Sequence, residues 1–186
     1  MIRSIKNFLR NSIYSRRSGI SKKLKSKSIL KSKDLKYFVK SFGNKNPNKK
    51  FYVIQRFIGG GMFSNLNYII HHLKLALDLN CIPIIDMENF PTKYNEKNKI
   101  NNTKNAWEYY FYPLNKYKLS DVYKSKFVII SDKKTRRLKE FDTFEALSEK
   151  HFKIFKKYIK IKQPILDEIK KFFNKNFKEN KILGVH

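Results

Sequence analysis

The sequence predicts an α/β domain in three layers, a mainly parallel sheet with helices on both faces. Three observations predict it. A β-prone run, Phe51-Tyr52-Val53-Ile54-Gln55-Arg56, passes through Gly59-Gly60-Gly61 into a stretch with helical periodicity. A second apolar run, Cys81-Ile82-Pro83-Ile84-Ile85-Asp86, follows that stretch at once, and a third, Phe127-Val128-Ile129-Ile130, precedes two more helical stretches. Strand, glycine turn, helix and strand of this length form one βαβ crossover, the unit that joins parallel neighbours.

Each element has its own local reason. From Ser64 to Asn80, Leu66, Ile69, Ile70, Leu73 and Leu77 make one apolar stripe, and Ser64 or Asn65 is placed to cap the helix. Asn89-Phe90-Pro91-Thr92 reads as a turn and residues 95–103 as a polar loop. Asn105 to Leu114 is a short aromatic helix stopped by Pro113, and Leu119 to Tyr123 is another short helix. Phe144 to Ile159 and Pro164 to Phe177 are amphipathic. Leu147, Phe152, Phe155 and Ile159, then Ile165, Ile169, Phe172 and Phe173, are expected to face the sheet, with lysine outside. Lys181-Ile182-Leu183-Gly184-Val185-His186 reads as a closing strand that stops without a turn, as if cut.

Of the 186 residues 41% are hydrophobic and 15% aromatic, which suits one core and excludes wholesale disorder. The 42 Lys and Arg against 15 Asp and Glu give a formal charge of +27, which calls for an anionic partner. The excess is concentrated in residues 1–50, where Asp34 is the sole acid; this stretch reads as a basic arm ending in a Gly43-Asn44-Lys45-Asn46-Pro47-Asn48 linker, and residues 51–186 as the folded domain. Within the arm, Ile2, Ile5, Leu9 and Ile13 follow helical spacing among arginines and lysines. Such an arm suits either a solubilising tail or an anionic membrane surface, and nucleic acid less well.

Cys81 is the single cysteine, which excludes an intramolecular disulfide framework and multi-cysteine zinc sites. No apolar run reaches the roughly 18 residues of a spanning helix, and the N-terminus lacks the apolar stretch of a secretory signal. The expected location is the cytoplasm, where the sequon Asn101-Asn102-Thr103 is a chance match.

Three features carry chemistry. The glycine loop opens a helix, where backbone N–H groups and positive φ suit a phosphate or a sugar hydroxyl, although a plain tight turn fits as well. It is neither G-x-G-x-x-G nor a Walker loop. Asp86 and Glu88 follow a strand end, the place of a ligand-facing carboxylate in an α/β sheet or equally of a turn-forming one. His71 and His72 are adjacent on a helix, about 100° apart, and cannot chelate one ion from one face; no metal site is expected. Neither Cys81 nor any serine has a recognisable histidine partner, so no catalytic nucleophile is assigned.

Gly60-Gly61-Met62-Phe63-Ser64-Asn65, after a strand and opening a helix, resembles the Gly-Gly-x-Phe-Gly-Asn loop of the O-fucosyltransferase, α-1,6-fucosyltransferase and nodulation-fucosyltransferase group. Ile84 to Thr92 and Asn105 to Phe111 also resemble bacterial glycosyltransferases of that fold, and Ile182 to His186 resembles the strand opening the group's His-x-Arg-x-Gly-Asp signature. Ser64 stands where the group has its second loop glycine. The resemblance, over residues 51–186, implies the Rossmann-like N-terminal half of a two-domain GT-B glycosyltransferase. It implies metal-independent, inverting transfer of a sugar from a nucleotide-sugar donor, typically GDP-fucose, to a bacterial surface glycan acceptor, with no cofactor. Gly60, Gly61, Phe63, Asn65, Asp86, Glu88 and His186 are then the candidate substrate-binding residues, and the implied location is the cytoplasmic face of the membrane, through residues 1–50. The signature arginine lies beyond His186, so the chain alone is expected to be inactive. A reading from another class is a basic binding module for anionic membrane or nucleic acid.

Overall fold

A computed structural model describes residues 28–31, 38–55, 60–131 and 144–177. In chain order the elements are β1 (Ser28–Lys31), β2 (Phe38–Ser41), β3 (Lys45–Ile54), α1 (Met62–Asp78), β4 (Ile82–Ile85), α2 (Trp107–Tyr110), α3 (Leu119–Val122), β5 (Ser125–Ile130), α4 (Phe144–Tyr158) and α5 (Gln163–Asn176). They form an α/β domain with one mixed sheet, ordered β1-β2-β5-β3-β4. Its centre is parallel: β3 lies between β4, in register Phe51 to Ile82 through Ile54 to Ile85, and β5, in register Phe51 to Val128 through Val53 to Ile130. An antiparallel pair, β1 and β2, is added at the β5 edge.

Phe51, Tyr52, Val53 and Ile54 are fully buried because both faces of the sheet are covered, which is why this strand reads as a continuous apolar run rather than an alternating one. Tyr52, Ile54, Ile85 and Ile129 face α1, the Trp107 aromatics and Ile159. Phe51, Val53, Ile84 and Val128 face Val122 of α3, with Tyr117, Leu119 and Tyr123 packed around them.

The sheet begins earlier than composition suggests. β1, β2 and the first half of β3 precede Phe51, in the stretch read as an arm. Val39 and Phe42 bury there, and Phe42 packs edge-on against Tyr123 at 5.1 Å. The expected linker is instead a close crossing: a Cβ at Gly43 would stand 2.5 Å from the Lys124 carbonyl oxygen, so backbone meets backbone and glycine is required. The expected helix at 2–13 and closing strand at 181–186 lie outside the described residues.

Helix α1 is buried more widely than its stripe, because the sheet takes one side and α4 another. Tyr68, His71, His72 and Asn65 are buried along with Ile69, Ile70 and Leu73, while Leu77 is exposed. On α4, Ile159 just beyond the helix is buried and Phe155 partly so, whereas Phe152 is exposed; the Leu147 side chain lies outside the described residues. On α5 the expectation of a sheet-facing stripe fails. No residue of this helix is buried, and Ile169, Phe172 and Phe173 are about half exposed. Among the described residues no helix is long and apolar enough to cross a membrane.

Candidate functional site

The carboxyl ends of β3, β4 and β5 converge on one edge, held by a chain of hydrogen bonds. Asp86 N donates to the Ile54 carbonyl at 3.0 Å and Ser131 N to that of Val53 at 2.8 Å. Gln55 N donates to Ser131 Oγ at 3.0 Å, Gln55 Nε2 also donates to the Ser131 carbonyl, and the Tyr68 hydroxyl meets Ser131 Oγ at 3.1 Å.

The glycine loop enters α1 at this edge, and its geometry differs from the capping expected of Ser64 or Asn65. Gly61 is the N-cap and receives no side-chain cap bond. Buried Asn65 turns its amide back instead, Nδ2 donating to the carbonyls of Gly60 at 3.1 Å and Gly61 at 2.9 Å. Gly61 is extended, with φ −68° and ψ 179°, so it does not use the positive φ that glycine permits. One of the helix's otherwise unpaired N–H groups, that of Met62, donates to the Tyr94 hydroxyl at 2.9 Å. Phe63 projects beside the loop and is 83% exposed. Gly59 lies outside the described residues.

At the end of β4 the expectation of a ligand-facing carboxylate passes from Asp86 to Glu88. Asp86 is fully buried and accepts four hydrogen bonds: from Glu88 N (3.1 Å), Asn89 N (2.8 Å), Asn89 Nδ2 (2.9 Å) and the Tyr123 hydroxyl (2.7 Å). Burial raises its carboxyl above the ordinary value while these donors oppose the rise. The Tyr123 phenol is pushed well above its usual value by burial and by the neighbouring carboxylate. Asp86 therefore shapes the turn, as a loop carboxylate does, and the exposed Glu88 borders a cleft of about 1180 Å³. Trp107, Asn105, Tyr117 and Lys116 also line this cleft.

Two asparagines, Asn95 of the expected polar loop and Asn105 at the start of the expected aromatic helix, hold the loops around it. Asn105 Oδ1 accepts from Met87 N at 3.0 Å, and its Nδ2 donates to the Ile85 carbonyl at 2.8 Å. Asn95 Nδ2 donates to the carbonyls of Met87 at 2.6 Å and Lys104 at 2.9 Å, while its Oδ1 accepts from Thr92 N at 2.7 Å. Local spacing does not mark this role, since the bonds of Asn105 to Met87 and Ile85 and of Asn95 to Met87 and Lys104 reach 8 to 20 residues along the chain.

The candidate residues thus fall into two groups. Gly60, Gly61, Phe63 and Asn65 surround the start of α1, and Asp86 and Glu88 form the turn after β4. The 92–95 turn lies between them, with Tyr94 bonded to one side and Asn95 to the other. His186 lies outside the described residues. His72 Nδ1 meets the Tyr52 hydroxyl at 2.8 Å and His71 Nδ1 donates to the Asn67 carbonyl at 2.8 Å, so the adjacent histidines serve different neighbours. His151 of α4 packs edge-on against His71 with ring centres 4.2 Å apart. Cys81 is buried, which raises its thiol above the usual value against the opposing charge of Lys50. No group of three or more His, Cys, Asp or Glu is placed to hold a metal ion among the described residues.

This is an α/β domain whose glycine loop and carboxylate turn lie at the carboxyl ends of its parallel strands, where ligands bind in open α/β sheets, and whose cleft runs beside β4 from Glu88 to the 113–123 segment. No protein family, curated protein or solved structure is significantly similar to the chain.

Proposed function

We propose that the chain is the acceptor-side portion of a fucosyltransferase-like glycosyltransferase, the Rossmann-like half of a GT-B architecture, which transfers a sugar from a GDP-sugar to a bacterial surface glycan at the cytoplasmic face of the membrane. The observation that carries this reading is the grip of Asn65 on the carbonyls of Gly60 and Gly61 at the end of β3. It ties Gly60 and Gly61 to the start of α1, so their backbone and the exposed Phe63 ring are positioned at the ligand edge with a smaller ordering cost on binding. An aromatic face in solvent suits the C–H face of a sugar. Glu88 and the cleft give hydroxyl groups an acceptor and space on the other side of the 92–95 turn. Asp86 acts in this reading by positioning Glu88.

Saturation-transfer NMR with the full chain and GDP-fucose, free fucose and neutral oligosaccharides tests the proposal. Signal on sugar protons, lost in Phe63→Ala, is expected. Absence of sugar signal with every probe overturns it.

A further inference from the structure

We propose that α5 docks the protein on an anionic membrane surface, laying Leu166, Ile169, Phe172 and Phe173 into the headgroup boundary. The proposal stands apart from sugar transfer. The four side chains are 40%, 47%, 57% and 50% exposed, and with 3.6 residues per turn they share one side of the helix. Phe177 extends the stripe, its ring centre 5.7 Å from that of Phe172 and 5.3 Å from that of Phe173. The rest of the helix surface carries Lys170, Lys171 and Lys175 with Asp167 and Glu168, and Lys156, Lys157, Lys160 and Lys162 immediately before the helix raise the count between residues 156 and 175 to seven lysines against those two acids. An apolar stripe of leucine, isoleucine and phenylalanine, a charged opposite side, flanking lysines and low overall hydropathy are the pattern of a helix that lies in the plane of a bilayer surface.

The helix is presented rather than loosely attached. Lys162 N donates to the Tyr110 carbonyl and Tyr112 N to the Lys160 carbonyl, both at 2.9 Å, and Phe111 bridges Ile161. These bonds tie the segment entering α5 to the body of the domain, while none of the helix's own residues is buried.

Charge selects the occupant. A second copy of the chain would bring the same lysines against one another, on top of a mutual repulsion between molecules of charge +27. A nucleic acid would use the lysines and leave the phenylalanines in water. An anionic bilayer satisfies both, with the rings entering the acyl boundary and the ammonium groups meeting lipid phosphates.

The test is co-sedimentation of the full chain with vesicles of phosphatidylcholine alone and of phosphatidylcholine mixed with phosphatidylglycerol. Binding to the mixed vesicles and little to the neutral ones is expected. The double variant Phe172→Ser/Phe173→Ser is expected to weaken that binding by roughly tenfold or more, since most of the apolar contact is removed, with an unchanged thermal midpoint because both rings are already exposed. Four results overturn the proposal: no binding to either vesicle, equal binding to both, unchanged binding of the double variant, which would assign the effect to lysine charge or to the arm, and a concentration-dependent dimer in sedimentation velocity that the double variant abolishes without vesicle binding by the parent.

Discussion

The Tyr123 hydroxyl donates to Asp86 Oδ2 at 2.7 Å, across 37 residues, and so joins the turn after β4 to the segment that leads into β5. A fully buried carboxylate is tolerable only when donors replace the water it has lost, and this bond is one of four that do so.

Tyr123→Phe removes that donor while keeping the ring against Phe42. It should lower unfolding stability by about 1.5–3 kcal/mol, the cost of withdrawing a hydrogen bond from a buried charged group, read from the urea midpoint. The residual effect has a pH sign. The carboxyl of Asp86 is raised in the fold, so the folded state holds the extra proton and this group's contribution falls as pH rises above 3.8. Losing the phenol donor should widen that window upward.

Asn65→Ala should lower stability by about 1–2 kcal/mol, through the released Gly60 carbonyl, the side-chain bond lost at Gly61, whose carbonyl keeps the backbone N–H of residue 65, and the cavity left at a buried site. Asn65→Asp should cost more, because a carboxylate would face two carbonyl oxygens and offer them no proton. Thermal melts compare the two, and an aspartate variant as stable as the alanine one would refute this account of the loop.

His151 predicts acid sensitivity. Burial and the charge of His71 lower its folded pKa from 6.5 to about 4, so the unfolded chain takes up its proton first as pH falls. The stability this histidine contributes is complete above pH 6.5 and is lost as pH falls from 6.5 towards 4. His151→Phe, which keeps an aromatic ring against His71, should flatten the stability profile across that interval.

Phe42→Ala should cost about 3–5 kcal/mol, as truncation of a buried phenylalanine does. A chain beginning at residue 51 loses β2 and the first half of β3 as well. Circular dichroism should show it largely unfolded.

Local pattern alone determined most of the framework. The runs at 51–56, 81–86 and 127–130 and the helical periods at 64–80, 144–159 and 164–177 are found as strands and helices, with ends displaced by one or two residues except at β3, which begins six residues earlier, at Lys45. Side-chain periodicity is written within the segment itself, and a continuous apolar run such as Phe51 to Ile54 already implies cover on both faces. The glycine loop and the carboxylate turn were legible for the same reason, being short contiguous motifs at strand ends.

Tertiary structure alone decided what each surface meets. Strand β2 and the polar half of β3 have little apolar signal, and their pairing comes from β5, a distant segment. The sequence placed Asn65 at a helix start, but only the loop's return made it a clamp on two carbonyls, and only Tyr123 made Asp86 a buried anchor. Helix α5 has the same kind of stripe as its buried neighbours. Periodicity marks an apolar side without saying what covers it, and the strand-like tether at 160–162 that precedes that helix depends on backbone partners at 110–112 that no local pattern encodes.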